Sequence, residues 1–162
     1  MKKCLMLLLM TALLTGCGTE DTLETMNDEL LAPVMAQPGH ISVELPDEAA
    51  MPVIENQNGR LYVCNDYEIM IQTMESGDLN QTMEALSGHS REEMTVMETF
   101  FDGISRYEFV WAAAGEGGDR TGRAVILDDG NYHYCMTVFC DADSMGKSQI
   151  NWNQVFSSFD LV

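Results

Sequence analysis

Cysteine has the most reactive side chain in this 162-residue chain, and one of its five cysteines stands in an unusual place. Cys17 follows Met1-Lys2-Lys3 and the uncharged run "CLMLLLMTALL", and it precedes a strongly acidic segment. The run is shorter than the roughly 20 residues that a membrane-spanning helix needs, but it has the length of a signal-peptide core. The run lies between a positive start and the small residues Thr15 and Gly16, as the core of a signal peptide does.

The stretch Leu14-Thr15-Gly16-Cys17 resembles the lipobox of bacterial lipoproteins. This resemblance implies that residues 1–16 are a signal peptide cut between Gly16 and Cys17, and that Cys17 carries a diacylglyceryl group. Its new amine is often acylated as well, and two or more acyl chains give stable anchoring. Membrane lipid, held through acylated Cys17, is then the first expected partner. The alternative is an ordinary secretory signal with a chance cysteine.

The lipobox also predicts where the mature protein resides. Gly18 does not resemble the aspartate that retains lipoproteins in the inner membrane, so a double-membrane bacterium would carry the protein on its outer membrane. A single-membrane bacterium would carry it on the outer face of the cell membrane. Residues 17–39 are rich in charge and contain no aromatic residue, and Pro33 would break a helix there. They predict a lipid-anchored flexible tether with a reach of about 70 Å, followed by one domain over residues 40–162.

The charge of the mature chain excludes some partners. The whole chain has a net charge of −18, and removal of the signal leaves six cationic and 26 acidic residues, a net charge of −20. Nucleic acids and anionic lipid head groups bind clustered Lys or Arg, so no nucleic-acid partner is expected. Such a charge is first of all typical of a solvated, soluble surface. The alternatives are a basic partner, whose association should weaken with salt, and cations at a cell wall.

Two acidic stretches were weighed as metal sites. "DADSMGKS" begins like a calcium loop with Asp141, Asp143 and Gly146, but Trp152 stands where the bidentate Glu should be. Asp128 and His133 could also face a metal, although Asp-Gly is first of all a turn signal. Both stretches are better explained as turns or loops, so we expect no metal and no other cofactor.

A catalytic set is also not recognisable. No GxSxG motif occurs, and "GEGGDRTG" does not have the lysine of a phosphate-binding loop. Ten methionines lie outside the signal, and Met70, Met83 and Met97 stand in apolar patterns, which predicts core filling. The chain is therefore predicted not to be an enzyme, although a site assembled only by folding would escape this reasoning.

Three cysteines remain in the domain. Cys135 and Cys140 lie five residues apart on one predicted strand, so about 17 Å separates them and their side chains face opposite sides. A disulfide needs Cα atoms within about 7 Å, so we expect no bond between these two. Free buried thiols are one outcome, and a bridge from Cys64 to one of them is the other.

Apolar periodicity and turn residues predict the elements of an α+β domain. "HISVELP" predicts a strand that ends at Pro46, and Asn58-Gly59 predicts a hairpin. A short helix is expected over Leu79–Leu86 with Asp78 as N-cap and Gly88 as stop, and a second over Ile150–Phe159. The remaining predictions are strands around Asp102-Gly103, a loop at "EGGDRTG", and a long hairpin over Asp129-Gly130.

A two-residue turn at Asp129-Gly130 would set the register of that hairpin. Leu127 would face Tyr132, and the three pairs that follow would be Ile126 with His133, Val125 with Tyr134 and Ala124 with Cys135. Because side chains alternate along a strand, Val125 and Leu127 share one face with Tyr134 and Met136, and Ala124 and Ile126 share the other with Cys135 and Phe139. On the preceding strand Tyr107, Phe109 and Trp111 oppose Val110 and Ala112. Both faces are apolar, so both are expected to be covered, with Trp111 and Trp152 buried.

The run "HISVELP", the helix "DLNQTMEAL", the strands "YEFVWAAAG" and "GRAVILDDGNYHYCMTVFCDAD" and the closing "WNQVFSSFDLV" resemble the PsbP-like superfamily. The likeness covers residues 40–162 and rests on element order and apolar positions. It implies a central antiparallel sheet with helices on both faces, an α/β/α sandwich. It also implies accessory binding rather than chemistry, and it supplies no catalytic residues to carry over.

Three classes of function remain. The preferred one is a membrane-anchored, extracytoplasmic, non-enzymatic binding or assembly accessory with a protein partner in the cell envelope. The alternatives are a solute- or metal-binding lipoprotein and a cell-surface enzyme. If the first is right, the predicted contact residues lie in the two exposed loops, namely Glu116, Asp119, Arg120, Arg123, Asp141 and Asp143.

Overall fold

The computed structural model describes residues 36–115 and 118–162, without the side chains of residues 115, 118 and 145–151. Two α-helices lie in these ranges, α1 (Leu79–Ser87) and α2 (Met145–Ser158). The strands are β1 (Ile41–Ser42), β2 (Ile54–Asn56), β3 (Gly59–Val63), β4 (Tyr67–Glu75), β5 (Val96–Phe101), β6 (Ile104–Gly115), β7 (Gly118–Asp128), β8 (Tyr132–Asp141) and β9 (Asp160–Leu161). The predicted positions of Cys17, Gly16 and Glu116 lie outside the described residues, as does most of the predicted tether.

A seven-stranded sheet dominates the fold. Its strand order is β2-β3-β4-β8-β7-β6-β5, and each neighbouring pair is antiparallel. Strands β1 and β9 form a separate two-stranded pair. The described chain is therefore an α+β fold built on an antiparallel sheet. No helix in the described ranges is long and apolar enough to cross a membrane.

Local turn and cap chemistry explains why the elements begin and end where they do. The side chain of Asp78 accepts a hydrogen bond from the Asn80 N–H at 2.9 Å, and Gly88 ends α1 in the left-handed region at φ 74°. Asp102 and Gly103, with φ of 50° and 84°, form the two-residue turn between β5 and β6. These predictions are confirmed.

The predicted alternation of faces is also confirmed. Buried residues of β7 fall into two clusters, Val125 and Leu127 with the α2 side chains on one face, Ala124 and Ile126 with the α1 side chains on the other. We call these the α2 face and the α1 face. Trp111 and Trp152 are 7% and 3% exposed, as predicted.

The cysteines follow the same alternation. Cys135 belongs to the α1 face and Cys140 to the α2 face, so the two side chains point away from each other as predicted. Cys64 lies on the α2 face, and all three are buried free thiols. The bridge from Cys64 that the sequence left open is not formed.

The expectation that helices cover both faces is correct only in part. Side chains of α2 pack against β3, β4, β8 and β7 on one face, and those of α1 pack against β5 to β8 on the other. Seven strands span about 29 Å, whereas helices of nine and 14 residues are about 14 and 21 Å long and about 10 Å wide. Two diagonally opposite quarters of the sheet are therefore uncovered, one at β5–β6 on the α2 face and one at β2–β3 on the α1 face.

The register of the last hairpin differs from the prediction by two residues. Leu127 pairs with Tyr134 rather than Tyr132, and Asp128 pairs with His133. The Asp129 carboxylate accepts the N–H groups of Asn131 and Tyr132 at 2.8 and 2.7 Å, which stabilises a wider turn. A shift of two residues keeps every side chain on its predicted face. The predicted core residues were therefore correct, although the predicted cross-strand partners were wrong.

Both predicted loops are largely regular structure. In the first, β6 continues to Gly115 and β7 already begins at Gly118, so Asp119, Arg120 and Arg123 lie on a strand. In the second, Asp141 ends β8, Ala142–Ser144 forms a 3-10 turn, and α2 begins at Met145, five residues before the predicted start. Cross-strand pairing across the wide sheet extended these strands beyond what local turn signals suggested.

The predicted first strand is shorter than expected and lies outside the main sheet. Only Ile41–Ser42 is a strand, and it pairs with the chain end at Asp160–Leu161, a strand that was not predicted. Just before it, the Gly39 N–H donates to the Tyr134 hydroxyl at 2.6 Å, and that hydroxyl donates to Asp129 at 2.8 Å. This relay joins the start of the domain to the last hairpin.

Candidate functional site

Arg120 is the predicted contact residue that the structure places among other charged groups. Its guanidinium lies 3.4 Å from a Glu68 carboxylate oxygen and 3.9 Å from Asp141, across three adjacent strands. It also lies 5.7 Å above the Phe139 ring. The three charged side chains are substantially exposed, so the ion pairs contribute little to stability. Of the other predicted residues, Asp119 and Asp143 are exposed at separate points nearby.

Arg123 belongs to a different and more buried group. It donates to Glu108 at 2.8 Å and to the Asn153 side chain at 2.9 Å, and its guanidinium lies 4.2 Å from the centre of the Phe156 ring. Arg106 donates to the other carboxylate oxygen of Glu108 at 2.9 Å. The structure thus uses Arg123 to hold α2 against the sheet, which makes it unsuited to a solvent-facing contact.

This ionic group sets the electrostatics of the uncovered quarter at β5–β6. Burial raises the pKa of Glu108, but hydrogen bonds from Arg123 and Arg106 outweigh it and hold the pKa below its usual value. The Arg106 guanidinium also donates to the backbone carbonyls of Phe156 and Phe159 at 2.7 and 2.9 Å. Two cations around one carboxylate give a small positive excess in a strongly acidic protein.

Beside this ionic group lies a groove of about 280 Å³, which we call the β5 groove. Met97 and Val110 are 61% and 50% exposed in it. The groove is lined by Thr95, Met97, Glu108, Phe109, Val110, Thr121, Arg123 and Trp152. The buried indole N–H of Trp152 has no hydrogen-bond acceptor among the described groups. The floor and walls are mainly apolar, which suits a hydrophobic side chain rather than a charged solute.

The β5–β6 turn adds two exposed aromatic rings to the same end of the sheet. Phe100 and Phe101 are 71% and 84% exposed. Full burial of a Phe or Met side chain is worth about 1.5–3 kcal/mol. Phe101 lies on the same face as Met97 and Phe100 on the other, so apolar side chains are exposed on both sides of β5. Exposed apolar clusters of this kind are typical of interaction surfaces.

The opposite uncovered quarter is smaller. Ile54, Leu61 and Met70 line a groove of about 200 Å³ on the α1 face. Ile54 is 56% exposed, whereas Leu61 and Met70 are half-buried. The β5 groove therefore offers the larger accessible apolar surface of these two.

His133 has surroundings that resemble those of a catalytic histidine. Its Nδ1 lies 2.9 Å from the Thr82 hydroxyl, and its Nε2 lies 3.4 Å from Ser76 and 3.7 Å from Asp128. The arrangement superficially suggests a nucleophile, base and acid. However, the ring is fully buried, and none of the described cavities is lined by it. A reacting substrate would have no room, so the contacts serve to join α1 to the last hairpin.

The absence of a metal site stays a prediction. No group of three or more Cys, His, Asp or Glu side chains within the described residues is arranged to hold a metal ion. Asp141 and Asp143 flank a strand end and a 3-10 turn, which is not the geometry of a calcium loop.

The exposed apolar residues of the candidate site were not predicted from the sequence. Met97 was assigned to core filling, and this is wrong because it is exposed, whereas Met83 is fully buried as predicted. A signal was present in "VMETFF", where apolar residues occupy both faces of a strand next to an Asp-Gly turn. That pattern does not reveal by itself which face is uncovered.

Comparison with known proteins gives the fold but no family. No family model matches the sequence, and no curated protein matches it either. Among solved structures, the fold is similar to that of LpqN, a protein involved in cell envelope biogenesis in Mycobacterium tuberculosis. The alignment has a TM-score of 0.52 at 14% identity and covers 78% of this chain and 87% of LpqN.

Two further structures align with lower scores. A Pseudomonas aeruginosa protein of unknown function gives a TM-score of 0.47 at 14% identity, over 80% of this chain and 88% of its own. PsbP from the cyanobacterium Synechocystis gives 0.48 at 10% identity, over 78% of this chain and 84% of its own. At sequence identities this low, the likenesses show the fold alone. The comparisons therefore show that the fold of this chain is similar to that of LpqN.

Proposed function

We propose that this chain is an extracytoplasmic lipoprotein, anchored through acylated Cys17, that acts as a non-enzymatic binding or assembly accessory in the cell envelope. Its domain is of the PsbP-like α/β/α type, and its partner is an envelope protein. The lipobox supports the anchor. The fold shared with LpqN, a protein of cell envelope biogenesis, supports the setting.

The observation that carries the binding role is the exposed apolar surface at β5 and β6. Met97, Val110, Phe100 and Phe101 are each at least half exposed at one end of the sheet. Exposed apolar surface of this kind commonly marks a site that a partner covers. We therefore move the proposed contact surface from the two predicted loops to the β5 groove and the neighbouring turn. Arg120 and Asp141 lie on the α1 face, opposite the groove, and with Asp119 and Asp143 they stay secondary candidates.

Site-directed photocrosslinking in the native membrane tests this role. A photoreactive amino acid at Met97 should give a discrete crosslinked protein band, because the partner would lie within a few ångströms of the groove. The matched control is Met51, which is 80% exposed at the other end of the sheet and should give no such band. A solute-binding role would replace the accessory role if Met97 yielded no protein and the purified protein retained a stoichiometric small molecule or metal.

The anchor is tested separately. Cys17→Ser removes the thiol that takes the lipid, so the protein should leave the detergent phase or accumulate as an uncut precursor. Cys64→Ser, at a thiol within the domain, should leave partitioning unchanged. If Cys17→Ser partitions like the parent protein, the lipoprotein proposal is wrong.

A further inference from the structure

The outer edge of β5 carries free backbone hydrogen-bonding groups. β5 pairs with β6 alone and ends the strand order of the described sheet. A two-residue hairpin closes on a hydrogen-bonded pair, here Phe101 and Ile104, and such pairs alternate along an antiparallel ladder. The N–H and C=O groups of Val96, Glu98 and Phe100 therefore point outward, where another strand could pair with them.

This edge has little of the protection that edge strands usually carry. Natural edge strands are protected by charged side chains, especially lysine, by proline or by a bulge, and Glu98 is the single charged residue of β5. β5 contains neither lysine nor proline, and its six residues pair with β6 without interruption. Five of its six residues are exposed. The edge is therefore ready to accept a strand.

The two sides of β5 differ in chemistry. Met97, Thr99 and Phe101 lie on the side of the β5 groove, and Val96, Glu98 and Phe100 lie on the other side. Arg91 and Glu98 form an ion pair at 3.6 Å whose side chains are 38% and 54% exposed. Such an exposed pair is weak, so Glu98 can accept a second cation. A strand that suits this edge would have apolar side chains on the face beside Met97 and cationic side chains on the face beside Glu98.

A second copy of this chain fits the edge poorly. Each mature copy carries a net charge of −20, so two copies repel each other. In a symmetric antiparallel pairing Glu98 would face Val96, Glu98 or Phe100 of the other copy, and none of these supplies a cation. The exposed Glu98 and the net charge of the chain favour a basic partner.

We infer that β5 binds an extended, basic segment of a partner protein by strand addition. The inference is based on the open edge of β5, on the side chains of its two faces and on the net charge of the chain. In that segment apolar residues alternate with Lys or Arg, the apolar side chains enter the β5 groove, and the cations lie beside Glu98. The inference rests on the proposed binding function and specifies what kind of partner the same surface takes.

The test uses the full-length lipoprotein in phosphatidylcholine nanodiscs, whose zwitterionic lipid does not attract cations. The probe is a fluorescent peptide of alternating valine and lysine, and its binding is measured by anisotropy. Empty nanodiscs and a peptide with the same residues in two blocks are the controls. We expect the alternating peptide to bind at least about tenfold more tightly than the block peptide, and more weakly as salt rises.

Backbone N-methylation distinguishes strand addition from charge attraction. Two peptides are compared, each methylated on every second backbone amide but on opposite sets. In one the methyl groups block hydrogen bonds to β5, and in the other they face solvent. The first peptide should therefore bind at least about tenfold more weakly than the second. Met97→Lys should weaken binding similarly, because it puts a cation on the groove side. Ile54→Lys, a change at the other uncovered quarter with similar exposure, should leave binding unchanged.

The opposite results would overturn the inference. Equal effects of both methylation sets, or equal loss in Met97→Lys and Ile54→Lys, would mean that the peptide is held by the acidic surface in general. Sedimentation as a dimer that Met97→Lys dissociates would mean that a second copy occupies the edge. If crosslinking at Met97 still captures a protein while the methylation sets behave alike, strand addition fails and the accessory role stands.

Discussion

Gly122 and Trp111 lie directly opposite each other on β7 and β6, and the indole ring lies over the glycine. A Cβ atom at position 122 would overlap the ring. The ring also contacts Phe109 and Phe139, each at a centroid distance of 5.6 Å. A glycine in a strand centre usually marks such a close approach. Trp111 therefore occupies its place on the α1 face because residue 122 has no side chain.

Gly122→Ala should consequently lower the free energy of unfolding. Overpacking of this kind costs about 1–3 kcal/mol, and the displaced Trp111 should shift its fluorescence emission to longer wavelength. Urea titration followed by fluorescence measures both effects. The matched control is Gly77→Ala, because a Cβ atom there meets nothing within 4 Å, and its effect should stay within about 0.5 kcal/mol. Equal stability of the two variants would mean that the ring is not confined by Gly122.

At the scale of elements, α2 is held on the sheet by both apolar and ionic contacts. Trp152, Val155 and Phe156 are buried against the α2 face. Arg106 donates to the Phe156 and Phe159 carbonyls at the end of the helix, where a cation also interacts favourably with the helix dipole. Glu108 holds Arg106 and Arg123 in place.

Arg106→Ala should loosen the C-terminal end of α2 and destabilise the protein. It removes charge-assisted hydrogen bonds worth about 1.5–3 kcal/mol each and leaves two carbonyls and a half-buried carboxylate with fewer partners. Hydrogen exchange over residues 152–158 should accelerate, and the urea midpoint should fall. Arg91→Ala is the control, because the exposed Arg91–Glu98 pair contributes at most about 1 kcal/mol. Unchanged exchange in α2 would contradict this role for Arg106.

For the whole molecule, the balance of charge predicts a stability maximum on the acidic side of neutrality. The hydrogen bonds around Glu108 and Asp129 outweigh burial and hold both carboxyl pKa values below their usual range. Their stabilisation is complete above the unfolded pKa and is lost as pH falls through the folded pKa. Burial raises the pKa of Cys135 to about 12 and that of Tyr134 to about 12. Their stabilisation is complete below the unfolded pKa and is lost as pH rises towards 12.

The net charge of −18 acts in addition, because repulsion among carboxylates decreases as pH falls towards 5. We therefore expect the free energy of unfolding to peak near about pH 5–6 and to fall steeply below about pH 4. Added salt should stabilise the protein more at pH 8 than at pH 5, since screening then relieves repulsion. Thermal unfolding across pH at two salt concentrations measures this. A maximum above pH 8 would contradict the expected balance.

The sequence by itself determined the features that depend on neighbouring residues. Alternation along β7 and β8 assigned Val125 and Ala124 to the correct faces, because a strand turns successive side chains to opposite sides. Asp78, Gly88 and Asp102-Gly103 located a helix and a hairpin, because cap and turn geometry requires those residue types. The predicted register of the last hairpin was wrong because the Asp129 carboxylate accepts hydrogen bonds from the Asn131 and Tyr132 N–H groups, which stabilises a wider turn.

Only the tertiary structure decided which apolar residues stay exposed. Met97 and Met83 look alike in the sequence, yet Met83 lies on α1 and is buried against the sheet, whereas Met97 lies on β5, where neither described helix covers it. Which part of the sheet is covered depends on where two short helices pack on a sheet that is wider than either of them. The helix positions result from contacts between residues far apart in the chain. The sequence could therefore supply apolar side chains for both faces, whereas the uncovered β5 groove and the open edge of β5 exist only once the helices have packed elsewhere.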